Sequence, residues 1–149
     1  MELFHKTVDH VAELAQQHDI KVHYAVKANA NDHILRTINT AGLGIDCVSG
    51  GEVAAAINAG FDSKKIVFAG VGKTDREISL ALDANILCFN VESIPELEAI
   101  NELAQQKGKI ADVAFRINPN VDAHTHKYIT TGLSENKFGI NLEKLDEII

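Results

Sequence analysis

The sequence predicts an α/β fold on a parallel sheet, and three observations carry that prediction. Five short apolar, β-rich runs alternate with segments of helical periodicity. Capping signals open several of the helical segments, and glycines close them. The glycine-rich dinucleotide fingerprint is missing, since Gly70-Val71-Gly72 is a lone match that reads as a tight turn. Alternation of this kind lays successive strands side by side and parallel, through right-handed crossovers. Two closures stay open on the residues alone: a doubly wound sheet or part of a barrel.

Each element has its own signal. Phe4, Val8, Val11 and Leu14 or Ala15 recur at helical spacing, giving a first helix that ends near His18. Val22, Tyr24 and Val26 then alternate with His23, Ala25 and Lys27, the period of a strand. Asn29 and Asn31 break it, and Asn31 or Asp32 caps a helix carrying Ile34, Leu35 and Ile38 that stops at Gly42. Residues 45–48 form the second strand, and Ser49 to Glu52 open an alanine-rich helix ended by Gly60. The third strand is 65–69, followed by a capping box from Thr74 to Glu77. The fourth is 86–91, and Ser93, Pro95 and Glu96 start a helix through Gln106 that stops at Gly108. The fifth is 113–117. Residues 118–136 lack a clear period and read as a long loop, and Asn141 begins a last helix over 142–149.

Composition narrows the class. With 149 residues, 46% hydrophobic and 23% charged, the chain can form one domain with a sizeable core. A net charge of -7 argues against a nucleic acid or an anionic membrane as partner, since both call for basic patches. No run approaches the ~20 apolar residues that span a bilayer, and residues 1–6 lack the apolar core of a signal peptide. The two cysteines, Cys47 and Cys88, lie in strand-like runs and read as reduced, buried thiols of a cytoplasmic protein.

The stretch from Val22 to Asn31 organises the rest. In sheets of this class ligands bind at the carboxyl ends of the strands, and Lys27 falls at such an end. Held away from bulk water, its amine loses part of its preference for the charged form and can attack a carbonyl to form a Schiff base. A lysine reaching into solvent is the rival reading.

Tyr24-Ala25-Val26-Lys27-Ala28-Asn29 resembles the pyridoxal-phosphate lysine motif of the fold-type III decarboxylases and alanine racemases. Residues 44–52 resemble that family's second strand and its loop, and residues 116–119 through 137–140 its fifth. The racemases usually follow the lysine motif with tyrosine and glycine, where Asn31-Asp32 stand here. Eukaryotic ornithine decarboxylases usually have cysteine where Ala28 stands. The segment 118–132, with Asn136-Lys137-Phe138-Gly139 after it, is most similar to the diaminopimelate decarboxylases.

The resemblance implies an eight-stranded (β/α)8 TIM barrel, a fold of ~250 residues. The chain would supply about its first five parallel strands, an incomplete pyridoxal-phosphate-binding domain over 1–149. The family's remaining strands, phosphate-binding loop, pyridine-nitrogen partner, catalytic cysteine and β-domain would lie outside it. The implied activity is decarboxylation of meso-2,6-diaminopimelate to L-lysine by a full-length homodimer, with little or no activity in the fragment alone. Ornithine, arginine or carboxynorspermidine decarboxylation, or a barrel that binds the cofactor without turnover, are the alternatives. The residues that choose among these substrates are expected beyond Ile149.

Site residues follow from both sources. The resemblance makes Lys27 the catalytic, cofactor-linking amine. Ala25 shares its face, small enough for a ring to lie against the strand or simply a filler of the interior. Asp46 is an acid in an apolar strand, where a partner near the cofactor lysine is expected. Glu52 fits a capping box with Ser49 and equally the glutamate that the family places near the site. Arg116 alternates with Ala114 and Asn118 on one strand face, suited to orienting an aromatic ring or carboxylates, or to an internal salt bridge. His124 and His126 alone do not make a metal ligand set. They read with Tyr128 and Lys137 as a loop near the site, and no metal is expected.

Overall fold

The computed structural model describes residues 2–118 and 138–141. Five helices and seven strands alternate along it: α1 (Glu2–Gln17), β1 (His23–Ala25), α2 (Asp32–Thr40), β2 (Gly44–Cys47), α3 (Gly50–Asn58), β3 (Ile66–Phe68), α4 (Asp75–Ala84), β4 (Cys88–Val91), α5 (Ile94–Gln106), β5 (Val113–Phe115), β6 (Ile117–Asn118) and β7 (Ile140–Asn141). The first five strands form one sheet in chain order, β1-β2-β3-β4-β5, with every neighbouring pair parallel. The expected α/β architecture is therefore present.

The strands divide their side chains between two faces. Ile45, Cys47, Ile66, Phe68, Phe89 and Val91 point to the helices and are almost wholly buried. There they join Leu35, Ile38, Val53, Ala56, Ile78, Ala81, Ile100 and Ala104 in one core cluster. The opposite face carries the row Ala25, Asp46, Val67 and Cys88, aligned by register across β1 to β4, with Asn90 beside Ala114 on β4 and β5. Period-two alternation thus puts apolar bulk on the helix side and smaller or polar groups on the other.

The helix starts follow their caps. Asn31, Ser49, Thr74 and Ser93 each accept a backbone N–H of the first turn through their side chains. At α4 the capping box is complete, with Glu77 reaching back to the Thr74 N–H. Each such cap contributes about 1 kcal/mol.

The strands are one to two residues shorter or shifted at several ends, and two departures from the sequence reading bear on the site. The first strand ends at Ala25, and Val26–Ala28 form a 3₁₀ turn, so Lys27 sits just past the strand instead of on it. Val26 is buried to 1% exposure, and the Tyr24 hydroxyl donates to the Asn29 carbonyl at 3.2 Å, drawing the chain into that turn. The second is in the fifth strand, read as one run over 113–117, which breaks at Arg116 and is joined by Asn141, the residue read as preceding a helix over 142–149. Asn141 pairs with Asn118, and Ile140 with Ile117, as a parallel two-stranded sheet. The fifth strand changes partner at Arg116, whose N–H donates to Val91 and whose carbonyl accepts from the Ile140 N–H at 2.7 Å. Gly139 makes that approach possible: its φ is +106°, and a Cβ there would stand 2.9 Å from the Arg116 carbonyl oxygen. The long loop and the last helix expected over 118–136 and 142–149 lie outside the described residues, apart from Asn118 itself in β6.

Candidate active site

A cavity of about 440 Å³ opens at the carboxyl ends of the five strands. Lys27 lines it after β1, Asp46 and Val48 on and after β2, and Ala69 and Gly70 after β3. Asn90 and Glu92 come from the end of β4, and Ala114, Phe115 and Arg116 from the end of β5. Every strand thus contributes at the end where parallel α/β sheets bind ligands. A larger cleft of about 860 Å³ lies at the other ends of the strands, against α1, and is lined by Glu13, His23, Gly44 and Lys65 among others. The smaller cavity is the better candidate, because the chemistry gathers there.

Local sequence explains how Lys27 is held. Asn29 and Asn31 build successive turns through their side chains, Asn29 accepting the Asn31 N–H at 3.0 Å and Asn31 the His33 N–H at 3.0 Å. These bonds and the Tyr24 hydroxyl pin the 3₁₀ turn from both sides. Lys27 itself is exposed, so the dryness expected of it is not seen among the described residues, while its position on the cavity is. Ala25 is half-buried on the same side of the sheet as Asp46, its register partner.

Asp46 is the most unusual group in the site. Its Oδ1 is buried and has no hydrogen-bond partner, the one such side-chain atom among the described residues. Burial raises its carboxyl above the ordinary aspartate value, and the charges of Lys27 and His23 oppose that rise without cancelling it. Its neighbour Cys47, on the helix-packed face, is pushed up to about 12 by burial, as befits an inert core thiol.

Arg116 projects from the end of β5 with half its side chain exposed. Its Nη1 donates to both carboxylate oxygens of Glu92, at 3.1 and 2.9 Å, and its guanidinium lies 5.9 Å from the Phe138 ring centre. The pair with Glu92 is the internal salt bridge that the sequence offered as the rival reading of Arg116, and the half-exposed guanidinium also lines the cavity. Glu52 is arranged differently. Ser49 accepts its N–H at 3.2 Å, but its carboxylate accepts from the Val48 N–H at 2.7 Å instead of closing the box on Ser49. It therefore stands behind the cavity wall and holds Val48, which lines it.

Glu92 and Lys73 went unnoticed in the sequence. Cys88, Asn90 and Glu92 do alternate with Phe89 and Val91, a period-two signal that places Glu92 on the cavity face. Nothing in the sequence flags Lys73, whose side chain is only 1% exposed. It donates to the Gly70 and Asn90 carbonyls at 2.8 and 2.9 Å and to Glu96 at 2.6 Å. His124, His126, Tyr128 and Lys137 lie outside the described residues. Among the described residues no group of three or more acidic, histidine or cysteine side chains could hold a metal, and no helix is long and apolar enough to cross a membrane.

A primary amine, an unpartnered acid oxygen and a guanidinium around one cavity suit an anionic aromatic aldehyde such as pyridoxal phosphate. The amine can link to the aldehyde, the acid can share a proton, and the guanidinium can face negative charge.

Comparison with known proteins agrees. The model of the pyridoxal-dependent decarboxylase family, pyridoxal binding domain, matches residues 3–149. The diaminopimelate decarboxylase of Bacteroides thetaiotaomicron is 64% identical over 137 residues, 92% of this chain and 36% of that protein. The crystal structure of diaminopimelate decarboxylase from Helicobacter pylori complexed with L-lysine has a TM-score of 0.81 at 44% identity, covering 95% of this chain and 37% of that one. The enzyme from M. jannaschii in complex with L-lysine has a TM-score of 0.76 at 52% identity, covering 86% and 30%. The chain thus spans about a third of the length of the relatives it matches. These structural neighbours are barrel enzymes, and the five parallel β/α units correspond to the N-terminal part of such a barrel. The fold, the cavity at its strand ends and the family match together place this chain in the pyridoxal-dependent decarboxylases, as their pyridoxal binding domain.

Proposed function

We propose that this chain is the lysine-bearing portion of a pyridoxal-phosphate-dependent decarboxylase that converts meso-2,6-diaminopimelate to L-lysine. The observation that carries the reading is Lys27 at the strand-end cavity beside the orphaned oxygen of Asp46. When bound, pyridoxal phosphate supplies an electron sink for the pair left behind as the carboxylate departs as carbon dioxide.

The residues of the chain divide the remaining work. Lys27 would hold the cofactor through its amine at the edge of the cavity. Asp46, its carboxyl raised by burial above the ordinary aspartate value, places an unpartnered acceptor oxygen at the cavity edge, where it can take up a proton as charge moves nearby. Arg116 faces its unengaged donors to negative charge in the cavity. Ala25 leaves room for a flat ring against β1, and Glu52 acts through Val48 by fixing the loop after β2. The substrate assignment draws on the diaminopimelate decarboxylases of 48 to 64% identity and on the L-lysine complexes of two relatives. We also propose a cytoplasmic homodimer at full length, and little or no turnover by the isolated chain, whose Lys27 stands exposed at an open cavity.

The test uses the full-length protein carrying this chain. Adding pyridoxal phosphate is expected to give a visible absorbance band and carbon dioxide release from meso-diaminopimelate, both lost in Lys27→Ala. A band that survives Lys27→Ala sinks the role of Lys27, and release from ornithine or arginine instead redirects the substrate.

A further inference from the structure

We propose that Glu92 is a positioning residue, which holds Arg116 by one nitrogen so that the rest of the guanidinium is presented to the cavity. The inference rests on reading that cavity as the cofactor site.

The geometry is asymmetric. The Glu92 side chain is 4% exposed while that of Arg116 is 52% exposed. Both Glu92 oxygens are taken by the same Nη1, and among the described residues no other Arg116 nitrogen is hydrogen-bonded. Glu92 lies one residue past β4 and Arg116 one past β5, and both line the cavity beside Lys27 and Asp46. A pair serving only stability resembles Lys73–Glu96, where both side chains are enclosed. A pair of no consequence resembles Arg36–Asp32, where both are open to water at 56% and 65%. Glu92–Arg116 has one buried anchor and one accessible head.

The anchor is itself anchored. The Glu92 N–H donates to Glu96 Oε2 at 3.3 Å, and Glu96 Oε1 accepts from the enclosed Lys73. Arg116 is tethered through its backbone on both sides, to Val91 and to Ile140. The Phe138 ring flanks its guanidinium. A continuous series of bonds thus runs from the buried lysine to the exposed guanidinium. Such support is what holds a charged group in working geometry, where side-chain freedom would otherwise spread it over many rotamers. With its oxygens occupied and its side chain enclosed, Glu92 acts on a ligand through Arg116 only.

The test is a double-mutant cycle read as the dissociation constant for pyridoxal phosphate, measured by equilibrium dialysis on the full-length protein. Glu92→Gln keeps the shape and removes the charge. It is expected to weaken cofactor binding about tenfold, the lower end of what loss of an orienting outer partner costs. In an Arg116→Gln background the same change is expected to have no further effect. Equal weakening in both backgrounds, or none in the single variant, overturns the inference and leaves the cofactor reading intact. A wild-type protein that binds no pyridoxal phosphate removes both. Thermal melts report whether Glu92→Gln folds; where it does not, Glu92→Asp withdraws the charge by one methylene and runs through the same cycle.

Discussion

Lys73–Glu96 and Arg116–Glu92 are neighbours at the carboxyl end of the sheet, with their acids four residues apart on one segment, yet they are built to opposite ends. Lys73 spends its donors on two backbone carbonyls and a carboxylate, and the Phe68 ring lies 5.3 Å from its ammonium. Nothing of it is left for a ligand. Arg116 spends one nitrogen and leaves half of itself in the cavity. The lesson is that a closed, satisfied pair belongs to the scaffold, and a half-open one belongs to the site. Burying a charge is tolerable only where every donor and acceptor is met, so an incomplete set at a strand end marks a place where something else completes it.

The sharpest way to break this comparison is to remove one cation from each pair. Lys73→Ala strands the enclosed carboxylate of Glu96 and is expected to cost about 3–5 kcal/mol of stability in urea unfolding, the scale for breaking a buried pair. Arg116→Gln is expected to cost less, about 1–3 kcal/mol, because water reaches the vacated position. Equal losses would erase the distinction between scaffold and site.

A smaller effect is expected at Glu77, which joins two helix starts. Its carboxylate accepts from the Gly50 N–H at 2.8 Å as well as from the Thr74 N–H and hydroxyl. These bonds, that from Gly50 foremost, lower its carboxyl below the ordinary glutamate value of 4.5. The stability it contributes is therefore present above that pH and lost as pH falls through the lower folded value. Glu77→Gln should cost about 1 kcal/mol at neutral pH, as loss of a cap does. Its acid unfolding curve should be flatter than that of the parent protein.

The smallest effect has the opposite sign. Asp46 is raised by burial, so folding binds a proton that the unfolded carboxyl gives up. Its cost is absent below the unfolded value and grows as pH rises through the folded one. Asp46→Asn should therefore raise the melting temperature at pH 7, and the gain should vanish in acid. A lower melting temperature at pH 7 would mean that the orphaned oxygen has a partner in solution.

Local patterns carried a large share of this protein. The capping box at Thr74 and the caps at Asn31, Ser49 and Ser93 were legible because a cap and its target lie within three residues. Lys27 was legible because a six-residue motif ends a strand-like period. The 3₁₀ turn was not, since it depends on a phenol bonding five residues onward while Val26 sinks into the core. The pairing of 140–141 with 117–118 was not legible either, because two residues carry no period.

The sequence by itself determined the order of strands and helices, which strand face is apolar, and that Lys27 falls at the carboxyl end of the first strand. Only the tertiary structure decided that Glu92 would meet Arg116 across 24 residues, that Lys73 would be enclosed across 23 by Glu96, and that Asp46 would keep one oxygen dry and alone. The reason is physical. Periodicity and capping are set by dihedrals and hydrogen bonds within a turn or two of chain, whereas burial and ion pairing depend on which strand ends the parallel sheet brings together.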